Sequence, residues 1–442
     1  MTIIHQAALG IRAGNTTPLH LLEECLRQVD RYDARIHAWV FIDRELAFTD
    51  AAERTAELKR GFDRGPLHGI PLGIKDIIDV FDWPTAAGSK LWAQSIARAD
   101  AMVVERLRQA GAVFMGKTVT TQYASFDPPP TRNPWNLART PGGSSSGSAA
   151  AVACGMCLGA LGSQTGGSIT RPASYCGVAS LKPTYGRVST VGVVPLASSM
   201  DHVGPMAPCV ADLSILFQAI ADPGKSDKAL DRRGLDQPMH PPRLGCVGGI
   251  FDKLATPAVR SMTTNARARL EANGARMQSV PLPAGFAEVL SRHRTVMAVE
   301  AAAYHQRRLH RHPEDYLPKI RELIEEGIAC PPAEYARCKE HQARLSEEME
   351  ACLHSVDALL IPATTSPAPD AATTGDPAFN SPWSYTGLPS VSIPAGWTED
   401  GLPLSVQIIG RKNEESKLLA VAAWCEDALD FQRREPPWGL PT

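Results

Sequence analysis

The chain has 442 residues, 44% of them apolar and 21% charged, an ordinary balance for a folded protein able to bury a large core. Its formal net charge of −2 gives no pull toward nucleic acid or an anionic membrane surface. No apolar run has the length of a signal peptide or a transmembrane helix, so a cytoplasmic setting is expected, with the ten scattered cysteines reduced.

The first sixty residues have helical character. Thr17 is placed to cap a helix that Pro18 opens, and LHLLEECLRQV carries leucines at helical spacing. His68 to Val80 reads as extended, punctuated by Gly69 and Gly73. A helix over Asp100 to Ala110 ends at Gly111, and AVFMGKT follows as a strand. Thr120 to Thr140 is a proline-rich loop, and Ser148 to Gly159, nearly all small residues, reads as a buried helix running into a strand. Asp222 to Pro242 is a polar surface excursion. Arg243 to Gly249 starts a strand, Pro257 to Asn273 is an amphipathic helix, and Ala284 to Leu353 is helical and charged. Within it, Arg307, Arg308 and Arg311 read as a solvated basic face. Val356 to Ile361 is a strand, the loop to Pro382 is long, and VSIPAG and LPLSVQIIG form a closing strand pair before a helix over Glu415 to Leu429. Helices alternating with strands imply an α/β sheet protein.

Three clusters carry chemistry. Lys75 stands alone in the apolar run GIPLGIKDIIDV. Burial would disfavour its charge and let the neutral amine take a proton from a hydroxyl; the alternative is an ion pair with Asp76 or Asp79. In GGSSSGS, Gly142 and Gly143 free the backbone while Ser144, Ser145 and Ser146 offer hydroxyls for proton relay. The segment lacks the lysine of a phosphate-binding P-loop. In Thr165-Gly166-Gly167-Ser168, backbone amides free of bulky side chains are suited to an oxyanion hole. The serine is not framed as GxSxG, and no histidine stands where a Ser–His–Asp triad is legible. The twelve histidines show no metal-ligand spacing, and Cys154 and Cys157 form a lone CxxC, so neither a metal nor a cofactor is expected.

In order and spacing these clusters resemble the amidase signature family. Lys75 lies in a GxKD context, and Ser144 and Ser168 are 24 residues apart, as in the family pattern. The likeness continues through CGVASLKPTYGRVS and SSMDHVGP to GLPLSVQIIG. It implies a large mixed β-sheet covered by helices on both faces, one domain over residues 1–442, and a variable helical cap at about 222–353. It further implies a Ser–cisSer–Lys triad: Ser168 as nucleophile, Ser144 as bridging serine after a cis peptide bond, and Lys75 as base. Backbone amides of Thr165, Gly166, Gly167 and Ser168 would hold the oxyanion. Much of the family has aspartate where this chain has Gln164, and arginine where it has Thr170. The variant is similar to the malonamidase branch, in which the arginine three residues past the nucleophile grips a substrate carboxylate. That residue is Arg171, with Gln164 as a second substrate contact; the alternative is that Arg171 ties the loop to a neighbouring carboxylate.

The function implied is hydrolysis of a small amide bearing a free carboxylate, with release of ammonia. The alternatives are a hydrolase of a carboxylated urea such as carboxybiuret or allophanate, and the A-type subunit of a tRNA-dependent amidotransferase. The expected partner is the small-molecule substrate, without nucleic acid or membrane, in a chain that forms a homodimer by family analogy.

Overall fold

Eleven short runs of strand-forming residues join one mixed sheet in the computed structural model, which describes residues 2–222 and 240–437. The strands are β1 (Trp39–Ile42), β2 (Pro71–Lys75), β3 (Val113–Thr118), β4 (Gly159–Gln164), β5 (Ala179–Lys182), β6 (His202–Ala207), β7 (Arg243–Cys246), β8 (Arg276–Ser279), β9 (Ala358–Pro362), β10 (Ser390–Trp397) and β11 (Pro403–Ile409). Their order is β1-β3-β2-β4-β6-β5-β10-β11-β9-β7-β8. Every residue of β2, β3, β4, β6, β9 and β11 is buried, which requires cover on both faces of the sheet.

The helices are α1 (Ile4–Arg12), α2 (Pro18–Ile36), α3 (Arg44–Lys59), α4 (Met102–Gln109), α5 (Ser146–Ala153), α6 (Thr170–Cys176), α7 (Val210–Ile220), α8 (Ile250–Leu254), α9 (Pro257–Ala272), α10 (Val289–Arg311), α11 (Pro318–Ala329), α12 (Pro332–Cys352), α13 (Ser381–Tyr385) and α14 (Glu415–Leu429). No described helix is long and apolar enough to cross a membrane. Thr17 Oγ1 accepts the His20 amide and Pro18 opens α2, as the sequence implies. The extended run is shorter than His68–Val80, because the amides of Ile77 and Ile78 turn back onto the Lys75 carbonyl. β1 interrupts the expected helical stretch. His37 adopts φ 54°, ending α2, and the Asp33 carboxylate takes the Ala38 amide at the exit.

The segment expected as a helical cap divides. β7 and β8 pair in parallel and extend the sheet edge, so the helical layer begins near Ala284 and consists of α10, α11 and α12. At Gly327 of α11 an added Cβ would sit 1.9 Å from the Ala298 carbonyl oxygen of α10, so the two backbones touch. The Asp315 carboxylate fastens this layer to the core by accepting from Ser89 Oγ, Tyr123 Oη and the Leu91 amide. Arg308 does not stand free in solvent: its guanidinium lies 3.8 Å from the centroid of the Trp92 ring. The polar excursion at Asp222–Pro242 falls largely outside the described residues.

Two features deliver the site. β2 and β4 run parallel, with Ile74 beside Leu161, so Lys75 and the loop after Gln164 emerge at the same edge. Between them α5 is buried along its whole length. A Cβ at Gly147 would lie 2.2 Å from the Ala38 carbonyl oxygen and 2.4 Å from the Val119 nitrogen. Because those neighbours are backbone, Gly147→Ala is expected to destabilise the protein by about 3 kcal/mol. A thermal melt within a degree or two of wild type would contradict this close approach.

Candidate active site

Lys75 ends β2 with its side chain fully buried, Nζ 2.6 Å from Ser144 Oγ and 2.8 Å from Ser163 Oγ. Asp76 is committed elsewhere, 3.3 Å from Lys117 Nζ. Among the described residues no carboxylate comes within ion-pair distance of Lys75, so its neighbours are hydroxyls. Burial pulls the Lys75 pKa well below the usual lysine range, and the charge of Asp201 pushes the other way. A buried amine of lowered pKa touching a serine hydroxyl is arranged to accept a proton.

The peptide bond between Gly143 and Ser144 is cis. The serine run around it is fastened residue by residue. The Ser144 carbonyl accepts the Thr121 amide, the Ser145 amide donates to the Ser168 carbonyl at 3.2 Å, and Ser145 Oγ accepts the Ser163 amide at 3.1 Å. Ser148 Oγ donates to the Leu161 carbonyl at 2.9 Å. Ser145 therefore splints together the two segments that carry Ser144 and Ser168.

Ser168 lies in the turn just before α6. It is 7% exposed, and its hydroxyl makes no hydrogen bond among the described residues, leaving it open to a ligand. The amides of Thr165, Gly166, Gly167 and Ser168 likewise have no acceptor among the described residues. The carbonyls of that loop are all taken. His293 Nε2 donates to Thr165 O at 2.9 Å, Ser384 Oγ to Gly166 O at 3.0 Å, the Arg171 amide to Gly167 O at 2.9 Å, and the Ser145 amide to Ser168 O. Acceptors are satisfied while donors stay open, the polarity an oxyanion site needs. Thr165 Oγ1 donates to Asp201, which also accepts the amides of Leu196 and Ala197. Burial pushes the Asp201 pKa up to about 6, against those hydrogen bonds.

Arg171 is 1% exposed. Its Nη2 donates to the Gly143 carbonyl at 2.8 Å and to Thr374 Oγ1 at 3.3 Å. Nε and Nη1 are buried without a hydrogen-bond partner among the described residues. No carboxylate is within ion-pair distance of it among the described residues, so the loop-tying ion pair is not formed. Gln164 is also fully buried, with its side chain occupied. Oε1 accepts the amides of Ile169 and Thr170 at 2.9 and 3.0 Å, and Nε2 donates to Ser384 Oγ at 3.2 Å. These bonds suit Gln164 to holding the start of α6 rather than to touching a substrate, a change from its expected role.

Sequence reasoning does not find Ser163, Asp201, His293 or Ser384. Asp201 sits in SSMDHVGP, a visible motif, whereas His293 lies in a charged helix with no local signature. Cys154 and Cys157 are buried with thiol pKa values raised by burial, that of Cys157 to about 12. Among the described residues, metal-compatible donors gather only at His5, Cys209 and Asp212.

A family model described as Amidase matches residues 20–419. A Mycobacterium tuberculosis protein named as an amidase, AmiD, is 34% identical over 97% of this chain and 94% of its own. The A-type subunit of the glutamyl-tRNA(Gln) amidotransferase from Prochlorococcus marinus is 32% identical, covering 96% of this chain and 97% of its own. A solved structure reported as revealing the evolutionary origins of an s-triazine catabolic enzyme superposes with a TM-score of 0.91 at 31% identity, covering 98% of this chain and 99% of that one. With the lysine, the serine loop and the glycine-rich turn assembled at one sheet edge, the chain belongs to the amidase signature family and is an enzyme that hydrolyses amide C–N bonds.

Proposed function

We propose that the substrate is a small amide carrying a free carboxylate, malonamate-like in form, cleaved through an acyl-enzyme on Ser168. The observation that carries this reading is the guanidinium of Arg171, three residues beyond Ser168 and buried with Nε and Nη1 unpartnered among the described residues. A buried cation with open donors is costly unless an anion arrives, and a charged N–H of arginine donates strongly to a carboxylate oxygen. Burial lowers the Arg171 pKa, an effect that neighbouring Tyr175 and Asp376 oppose.

In this mechanism Ser168 Oγ attacks the amide carbonyl carbon and gives its proton to Ser144, whose own proton passes to Lys75. The charge developing on the carbonyl oxygen is met by the open amides of the Thr165–Ser168 turn. Collapse breaks the C–N bond as the relay returns a proton to the departing ammonia. Water then cleaves the ester by the same relay. A carboxylated urea offers Arg171 the same anion, which keeps that substrate class as the second reading. The relatives named as amidotransferase subunits support a third, in which a partner chain is required.

Ammonia release from malonamate, allophanate and neutral amides of matching size tests these readings. Ser168→Ala is expected to lose about 10⁴-fold or more in kcat. Retained activity would exclude the acyl-enzyme. Arg171→Ala should weaken kcat/KM about 100-fold for carboxylated amides, the scale for exposing one partner of a buried charged contact, and much less for neutral ones. Equal losses on both would remove the carboxylate grip. An enzyme inactive on every amide until a partner chain is added would favour the amidotransferase reading.

The pH profile follows from Lys75. A base acts when deprotonated, so kcat/KM should rise through the depressed lysine pKa and hold above it. Asp201→Asn removes a charge that raises this pKa, so the acid limb should move to lower pH. A stationary limb, or one displaced upward, would disconnect Asp201 from the base.

A further inference from the structure

The turn that offers its amides to the reacting carbonyl contains two consecutive glycines, Gly166 and Gly167. Glycine resists rotation least of all residues, so nothing intrinsic to this segment fixes which way its peptide planes face. Side-chain bulk cannot be added to stiffen it at Gly167, where a Cβ would lie 2.6 Å from Asn380 Oδ1. The orientation must come from outside the turn.

Two side chains supply it. His293 reaches from α10 in the helical layer, and its Nε2 donates to Thr165 O at 2.9 Å. Ser384 reaches from α13 near the carboxyl end of the chain, and its Oγ donates to Gly166 O at 3.0 Å. Both peptides are trans, since the cis bond is at Gly143–Ser144. In a trans peptide the carbonyl of one residue and the N–H of the next point in opposite directions within one plane. Holding Thr165 O therefore aims the Gly166 amide away from His293, and holding Gly166 O aims the Gly167 amide away from Ser384.

We propose that His293 and Ser384 are positioning residues for amide hydrolysis, gripping two successive carbonyls so that the Gly166 and Gly167 amides stay trained on the oxyanion. The assignment rests on Ser168 being the nucleophile. The histidine is suited to the task. A carbonyl is only an acceptor, so Nε2 carries the hydrogen, and burial pushes the ring's pKa down to about 4, keeping it neutral near pH 7. Its ring edge lies against the turn, with Cε1 3.5 Å from where a Gly166 Cβ would be. Ser384 is tied in turn by Gln164 Nε2, so three separated parts of the chain meet behind two peptide planes.

The test uses the full-length enzyme with His293→Phe, His293→Gln, Ser384→Ala and Ser384→Thr. Four quantities are compared: kcat and KM on malonamate or the best small amide found, the inhibition constant of 2-carboxyethylboronic acid, and the melting temperature. The boronic acid adds Ser168 Oγ to give a tetrahedral anion, whereas substrate binding alone does not. His293→Phe and Ser384→Ala should each lower kcat and weaken boronate inhibition by a similar factor, about tenfold to a hundredfold, with KM nearly unchanged. His293→Gln and Ser384→Thr, which keep a donor, should recover much of the loss. Unchanged kcat in both donor-free variants would overturn the proposal. So would a loss that tracks the melting temperature and is not rescued by the donor-bearing variants, or one confined to KM with boronate affinity intact. Failure of the underlying reading appears separately, as wild-type boronate inhibition that survives Ser168→Ala.

Discussion

Lys75 is an amine sealed inside a β-sheet with two serine hydroxyls for company. Removal from water lowers its affinity for a proton, and the absence of an adjacent carboxylate among the described residues leaves that effect in force. Every other element of the centre follows from the need to keep this group dry and still reach a substrate. The parallel strands β2 and β4 set it beside the glycine-rich turn. The buried helix α5, built mostly of small residues, packs against both strands, and hydroxyls rather than charges surround the amine. Neighbouring charges are diverted: Asp76 is held by Lys117, and Asp201 by a threonine hydroxyl and two amides.

Small side chains serve two purposes here. In GGSSSGS, glycine and serine look like material for catalysis alone, yet only Ser144 of the three central serines touches Lys75. Ser145 bridges the two loops, Ser146 Oγ donates to the Val119 carbonyl, and Gly147 permits backbone contact with β3's exit. The run is fastened along its length, and one of its hydroxyls reaches the lysine.

Sequence conveyed the central features because chemistry restricts residue type there: one lysine in an apolar strand, glycines before serines, and an arginine three residues past the second serine. The Thr17–Pro18 start and the β10–β11 pair were equally legible, since capping and alternation are local. What escaped depends on contacts distant along the chain. His293 lies 128 residues from the carbonyl that it holds, inside a helix whose composition marks only exposure. Ser163 is one small residue in a buried strand, and only the register of β4 against β2 brings it to Lys75. β1 is four residues long and has no turn signal before it. Gln164 was legible as a departure from the family pattern but not in its purpose, because its bonds to Ile169, Thr170 and Ser384 exist only once α6 and α13 are in place.

Arg171 is tied to the loop that carries Ser144. The nitrogen that does have a partner holds the carbonyl of Gly143, the residue immediately before Ser144. A guanidinium is a rigid plane, so any displacement of Arg171 is carried through Nη2 to that carbonyl. The arginine and the cis serine are thus mechanically joined. If a substrate anion binds Arg171 as proposed, selectivity would be expressed in the alignment of Ser144 as well as in residence time.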